Sequence, residues 1–234
     1  KRIIIAGDGV EALQLVRSHV PDIIVSDVMM PRMNGYELCK TIKEDIAISH
    51  IPVILLTAKD DKQSLISGYK NGADGYLSKP FEVEMLMELI RNWLKNREYT
   101  KKRYLNAGLI PTPEESTISL TDETFLIKLN SIIQENIDNT NLGIQFICQE
   151  VGLGRSSLYN KLKALTGMGA NEYISKLRIE KAITLISGTD MPFSEIAEKT
   201  GFTTPSYFST TFKQYTGETP SQYKERKKKG LTDQ

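Results

Sequence analysis

The sequence predicts a two-part chain, an α/β half built on a parallel sheet followed by an all-α half that holds two copies of one helical unit. Three observations carry this prediction. Over the first hundred residues short β-branched runs alternate with helical patterns, the mark of βα units. After Asp122 the strand-like runs disappear and a helical period takes over. Shifted by 50 residues, the second half matches itself: Ser156 falls on Ser206, Lys163 on Lys213, Thr166-Gly167 on Thr216-Gly217 and Tyr173 on Tyr223.

In the first half, strands are expected at Arg2 to Ala6, Ile23 to Ser26, Val53 to Leu56 and Gly75 to Leu77. Two of these are continuous apolar runs, as strands covered on both faces require. Asp8, with Glu11 three residues on, has the spacing of a capping box and opens the first helix. Further helices are expected near Tyr36 to Asp45, Lys62 to Asn71, where Gly72 follows as a stop, and Glu82 to Asn96. From Arg97 a basic patch (Lys101, Lys102, Arg103) gives way to Pro111, Pro113 and a Ser/Thr-rich stretch, which reads as a linker. Helical segments follow near 122–138, 143–150, 155–165, 170–187, 193–200, 205–215 and 219–229. The expected division is therefore 1–96, a linker at 97–120, a helical domain at 121–229 and a tail at 230–234.

Composition sets outer limits. The 234 residues hold 30 Lys plus Arg against 29 Asp plus Glu, a net charge of +1 that excludes a histone-like tail and an acidic disordered chain. Only Cys39 and Cys148 are present, which excludes a disulfide scaffold and a zinc cluster of Cys pairs and suits a reducing cytosol. No run reaches the roughly 18–20 apolar residues of a membrane span, and Lys-Arg-Ile-Ile-Ile-Ala-Gly-Asp lacks a long apolar leader. A cytoplasmic segment without membrane contact is expected, as part of an inner-membrane protein or alone.

In an open parallel sheet the working groups sit at the carboxyl ends of the strands. Three polar residues fall there: Asp27 after Ile-Ile-Val-Ser, Thr57 after Val-Ile-Leu-Leu, and Lys79 after Tyr-Leu-Ser. A carboxylate, a hydroxyl and an ammonium on neighbouring strands can form an acyl phosphate, with Asp as nucleophile and the other two neutralising phosphoryl oxygens. The motifs Asp27-Val-Met-Met-Pro-Arg-Met-Asn-Gly35, Leu56-Thr57-Ala58 and Gly72-Ala-Asp-Gly-Tyr-Leu-Ser-Lys-Pro80 together resemble the receiver domain of bacterial response regulators. The resemblance implies a flavodoxin-like sheet, Asp27 as phosphoacceptor, and Thr57 and Lys79 as phosphate ligands. It also implies a switch role for Tyr76, a cis bond at Lys79-Pro80, and Mg²⁺ held by Asp27 and the backbone carbonyl of Met29. Receivers also carry an acidic pair at the end of a first strand, which supplies oxygen ligands for the cation. That strand and its helix are absent from this sequence, and Asp8 is better explained as a helix cap. Met29, Met30 and Met33 read as loop and core filler, His19 as a complement to a helix C-terminus, and His50 as a loop residue.

In the second half, Ile144 to Val151, a Gly152-Leu153-Gly154 turn and Arg155 to Leu165 have the spacing of a helix-turn-helix. So do Phe193 to Thr200, Gly201 to Thr204 and Pro205 to Tyr215. Ser194-Glu-Ile-Ala197, Gly201-Phe202, Tyr207-Phe208, Phe212-Lys213 and Thr216-Gly-Glu-Thr-Pro-Ser-Gln-Tyr223 resemble the DNA-binding domain of AraC-type transcription activators, over about 105 residues. In that fold a long helix, here about Asn171 to Ser187, sets two recognition helices into successive major grooves. Leu158, Leu162, Phe208 and Phe212 take the core face of those helices. Arg155, Ser156, Tyr159, Asn160 and Lys163, and in the second copy Ser206, Ser209, Thr210 and Lys213, are left for DNA. Residues 140–229 hold 13 basic against 8 acidic side chains, a local surplus inside a neutral total.

The combined reading is a phosphorylation-regulated transcription regulator of a two-component system that binds double-stranded promoter DNA as a homodimer and is served by a histidine kinase domain. With the Thr-Asp-Glu-x-Phe-Leu opening at Thr121 to Leu126, the chain looks like the cytoplasmic end of a hybrid sensor whose parent chain also holds that kinase. Two readings compete with it: a phosphorylation-independent pseudo-receiver that only pairs DNA-binding subunits, and a phosphotransfer enzyme in its own right. The sole enzymatic step expected of these residues is the receiver's own phosphorylation.

Overall fold

Runs of Val, Ile and Leu in the first half pair into a parallel sheet, as their lack of polar alternation requires. The computed structural model describes residues 2–58, 72–107 and 119–229. In chain order its elements are α1 (Gly9–His19), β1 (Ile24–Asp27), α2 (Gly35–Glu44), β2 (Val53–Ala58), β3 (Gly75–Lys79), α3 (Val83–Ala107), α4 (Leu120–Glu135), α5 (Ile144–Val151), α6 (Arg155–Thr166), α7 (Ala170–Gly188), α8 (Phe193–Lys199), α9 (Pro205–Thr216) and α10 (Pro220–Lys228). The chain forms two compact units. The first comprises Lys1–Leu126 with Ser156–Gly167, and the second Ile127–Arg155 with Met168–Gln234.

The sheet has the order β1-β2-β3, with β2 in the middle. Its register sets Asp27 beside Leu56 and Thr57 beside Ser78, so the three strands end at one edge. Val53, Ile54 and Leu55 are fully buried, as a central strand covered on both faces must be. Beneath them Leu38, Cys39 and Ile42 of α2 and Val16 of α1 close the core. Each such side chain contributes about 1.5–3 kcal/mol relative to exposure.

Capping explains the helix starts. Asp8 accepts hydrogen bonds from Val10 and Glu11 N–H, while Glu11 reaches the N–H of Gly7, not that of Asp8 itself. Asn34 and Glu37 make a complete capping box for α2. At Gly35 a Cβ would lie 2.3 Å from the Asp27 carbonyl oxygen, so only glycine fits where α2 begins against the end of β1.

Two expectations need revision. Arg2 to Ala6 is not a strand: it pairs with nothing among the described residues, and Ile3 and Ile5 are more than 80% exposed. An apolar run alone forms no strand where no neighbour offers a hydrogen-bond ladder. The helix after β3 does not stop near Asn96 but continues through Ala107, into the stretch read as a linker. No Gly or Pro interrupts it before Gly108, and Glu98–Lys101 adds an i,i+3 pair at 2.7 Å. The helix expected at Lys62 to Asn71 lies outside the described residues.

In the second unit α7 buries Tyr173, Ile174, Leu177, Ile179, Ala182 and Ile186. At its C-terminal end Ile179, Ala182 and Ile186 share one core with Ile196, Phe202, Phe208, Phe212 and Tyr223. Phe202, Phe208, Phe212 and Tyr223 form a chain of tilted and edge-on aromatic contacts with centroids 5.3–5.7 Å apart. Thr204 caps α9, with Pro205 in the first turn where its missing N–H leaves nothing unsatisfied. The turn between α8 and α9 needs Gly201, at φ 71°, because a Cβ would meet the Ile137 carbonyl oxygen at 2.2 Å. Arg178 fastens the same spot, donating to the main-chain oxygens of Asn139 at 2.7 Å and Ile137 at 3.3 Å.

Candidate functional site

The end of β1 presents Asp27, the end of β2 Thr57 and the end of β3 Lys79. The Lys79 ammonium donates directly to Asp27 Oδ2, and the Met29 N–H donates to Asp27 Oδ1 at 3.2 Å. Partial burial pushes the Asp27 carboxyl up. The Lys79 hydrogen bond, the Met29 and Val28 N–H groups and the Lys79 charge outweigh that, and hold it below the usual carboxylate range. It is an anion at neutral pH with its charge matched at the crevice. Thr57 is buried on the neighbouring strand, one residue past the partner of Asp27. Tyr76 is half-buried against the core of the first unit, and the Lys79-Pro80 bond is cis.

The three methionines divide. Met30 and Met33 pack on the core, whereas Met29 is 82% exposed and fills nothing. Asp8 is occupied both as the cap of α1 and by Arg32, whose Nε donates at 2.7 Å. Cys39 is buried and its thiol is pushed up to about 12 by burial, so it is no nucleophile; neither cysteine forms a disulfide. His19 ends α1 with Nδ1 3.2 Å from the Leu15 carbonyl oxygen, and His50, read as a loop residue, lies in a turn but is buried.

On α6, Leu158 and Leu162 are buried, while Arg155, Ser156, Tyr159 and Lys163 are exposed and Asn160 is half-buried. On α9, Phe208 and Phe212 are buried, Ser206, Thr210 and Lys213 are exposed, and Ser209 is half-buried. The Thr210 hydroxyl donates to the Ser206 carbonyl oxygen at 3.0 Å, so part of its capacity is used within its own helix. The sequence reading missed Tyr207. Its ring stands edge-on to Phe202 at 5.7 Å yet remains 52% exposed, a rigid aromatic on the outer face of α9.

It also missed Lys161, which has no exposed surface. Lys161 pairs with Asp122 and donates to the Ser49 hydroxyl at 2.8 Å; that hydroxyl donates to Asp122 Oδ1 at 2.7 Å, and the ammonium lies 5.0 Å from the Phe125 ring centroid. All four residues belong to the first unit. Burial pushes the Asp122 carboxyl up, but the Lys161 charge and hydrogen bonds from Lys161, Ser49 and Ser119 hold it below its ordinary value. The signal was present: with Leu158, Leu162 and Leu165, position 161 falls on the core stripe of α6.

Comparison with known proteins agrees along the chain. A model described as the response regulator receiver domain matches residues 2–91, and one described as a helix-turn-helix domain matches residues 147–226. Histidine kinase P4 of Formosa agariphila is 42% identical over 224 residues, 96% of this chain but 16% of that protein, so the chain spans about a sixth of that relative. The probable transcriptional regulator ycf29 of Pyropia yezoensis is 32% identical over 181 residues, 73% of this chain and 82% of that protein. The transcriptional regulatory protein HptR of Staphylococcus aureus is 29% identical over 220 residues, 93% of this chain and 85% of that protein. With both domain models in sequence on this fold, the chain belongs to the response regulators of two-component signalling: a receiver domain joined to an AraC-type helix-turn-helix domain, and so a DNA-binding regulator of transcription.

Proposed function

We propose that the receiver is a phosphorylation switch, in which a phosphoryl group taken up by Asp27 gates promoter binding by the α5–α6 and α8–α9 units. The carrying observation is the Asp27–Lys79 pair, an ionised carboxylate held at the strand ends by an ammonium that can follow the charge. A carboxylate oxygen attacks the phosphorus of a phosphohistidine, the P–N bond breaks, the imidazole leaves with the bonding pair, and an acyl phosphate forms. Lys79 then neutralises a phosphoryl oxygen and the Thr57 hydroxyl donates to another. Tyr76 takes up the space that Thr57 gives way to. The surface so altered favours a homodimer, which strengthens promoter binding by holding two DNA-binding domains together.

The donor is a histidine kinase domain, and the similarity to histidine kinase P4 supports one in the same parent chain, with these residues on its cytoplasmic side. No helix among the described residues is long and apolar enough to cross a membrane. Mg²⁺ would take the Asp27 carboxylate and the Met29 carbonyl. The described residues hold no group of three His, Cys, Asp or Glu that could complete such a site, and no step of the transfer is assigned to the ion.

The test is duplex affinity of the full-length protein with and without a phosphodonor. The expected result is labelling at Asp27 with tighter promoter binding, both abolished by Asp27→Asn. Labelling with no change in duplex affinity would refute the gate and leave a pseudo-receiver that only pairs subunits.

A further inference from the structure

The first unit contains a cavity of about 260 Å³ that the phosphotransfer chemistry does not use. Arg97 and Lys101 of α3 and Lys163 of α6 bring three cations to its wall, with Tyr159, Asn160 and His50 between them. The one acid on that wall, among the described residues, is Asp22, and Arg97 is bound to its main-chain oxygen at 3.2 Å. Lys101 has an exposed partner, Glu98, at 2.7 Å. Arg97 is a charge drawn into poor solvent: burial lowers its pKa, and the nearby Asp22, Asp122 and Glu98 only partly offset this. His50 is 8% exposed, and its Nδ1 finds no hydrogen-bond partner among the described residues. Burial, with Lys161 and Arg97 nearby, pushes its pKa down to about 3 despite Asp122, so the ring is neutral, and in the tautomer protonated at Nδ1 it has an N–H there to give an anion.

Converging cations and one unpartnered buried ring nitrogen are what a polyvalent oxyanion requires. A phosphate presents several acceptor oxygens to an Arg fork and to Lys donors at once. The volume falls below the roughly 300–1,000 Å³ of sites that enclose a drug-sized ligand, which limits the occupant to a small one. We propose that this cavity binds a small phosphate-bearing anion of the size of pyrophosphate, and that its occupant competes with DNA for α6. The competition rests on the reading of Tyr159, Asn160 and Lys163 as DNA-facing; the binding site itself does not. The same chemistry could come from the DNA backbone, and the experiment separates the two sources.

Pyrophosphate is titrated into the full-length protein by calorimetry, against chloride at matched ionic strength. The expected result is saturable binding at roughly millimolar concentration or tighter. Arg97→Ala and, separately, Lys101→Ala should each weaken it about tenfold with an unchanged circular dichroism spectrum. In the second arm pyrophosphate should lower duplex affinity of the unmodified protein but not of Arg97→Ala. Absence of saturable binding, or binding by both variants as tight as that of the unmodified protein, overturns the site. No pyrophosphate binding combined with weaker duplex binding by Arg97→Ala would assign these cations to backbone phosphate and overturn the small-anion proposal. Pyrophosphate binding by a protein with no duplex affinity would uphold the site and count against the DNA reading of α6.

Discussion

Lys161 shows how much one side chain can carry without reaching the surface. A charge with no solvent contact is tolerable only if it is paired and its remaining donors are used, and Asp122, Ser49 and the Phe125 ring supply those needs. Removing one partner leaves the other charge buried alone, so Lys161→Met should cost about 3–5 kcal/mol, read as a lower urea midpoint for the first unit. Acid should have a related effect. Asp122 has its carboxyl held below the ordinary 3.8 in the folded state, so its contribution is fully present above that value and is lost as pH falls through the lower folded value. Urea midpoints between pH 6 and pH 2 should show this acid-side loss in the parent and a shallower one in Lys161→Met. Identical slopes would sink the assignment. The residue was hidden in the sequence because lysine counts as polar in any apolar pattern, although its position on the helix was a core one. Asp27, Thr57 and Lys79 were legible for the opposite reason, since polar residues ending apolar strands stand out.

At the scale of elements, α6 and α9, the second helices of the two repeated units, share a pattern but not a surface. Tyr159 of α6 and Tyr207 of α9 are both exposed aromatics, yet the 50-residue shift does not place one on the other. Tyr207 is braced by Phe202, and so can meet a base edge or thymine methyl without first being ordered. Tyr207→Ala should weaken duplex binding by about 1–3 kcal/mol, and Tyr207→Phe, which keeps the ring against Phe202, by less. A gel-shift series in which both variants bind like the parent would remove Tyr207 from the interface. Helix positions were read to within three residues from α4 onward, where the apolar period is strong and Gly, Pro and Thr mark the ends. The extension of α3 was not foreseen, because its last turns are basic and resemble a linker in composition alone. The first expected strand failed because pairing depends on a neighbour, which no local pattern encodes.

For the whole molecule, charge is informative only when divided. The net charge of +1 conceals 13 basic and 8 acidic residues between 140 and 229, where both helix-turn-helix units lie. If the exposed Arg155, Lys163 and Lys213 and the α10 lysines displace counterions at roughly four to six phosphates, log K should fall against log salt with a slope of about −4 to −5. Fluorescence anisotropy across a salt series measures it, and a flat line would be incompatible with this footprint.

The seat of Gly35 on the Asp27 carbonyl has a consequence for how a signal could leave the acceptor. With the start of α2 lodged against that oxygen, the main chain there has no room to move toward α2, whatever the side chain carries. On the proposed switch, a phosphoryl group at Asp27 would pass its effect sideways, through the hydroxyl and the ammonium of the adjacent strands, rather than along the peptide that bears the modification.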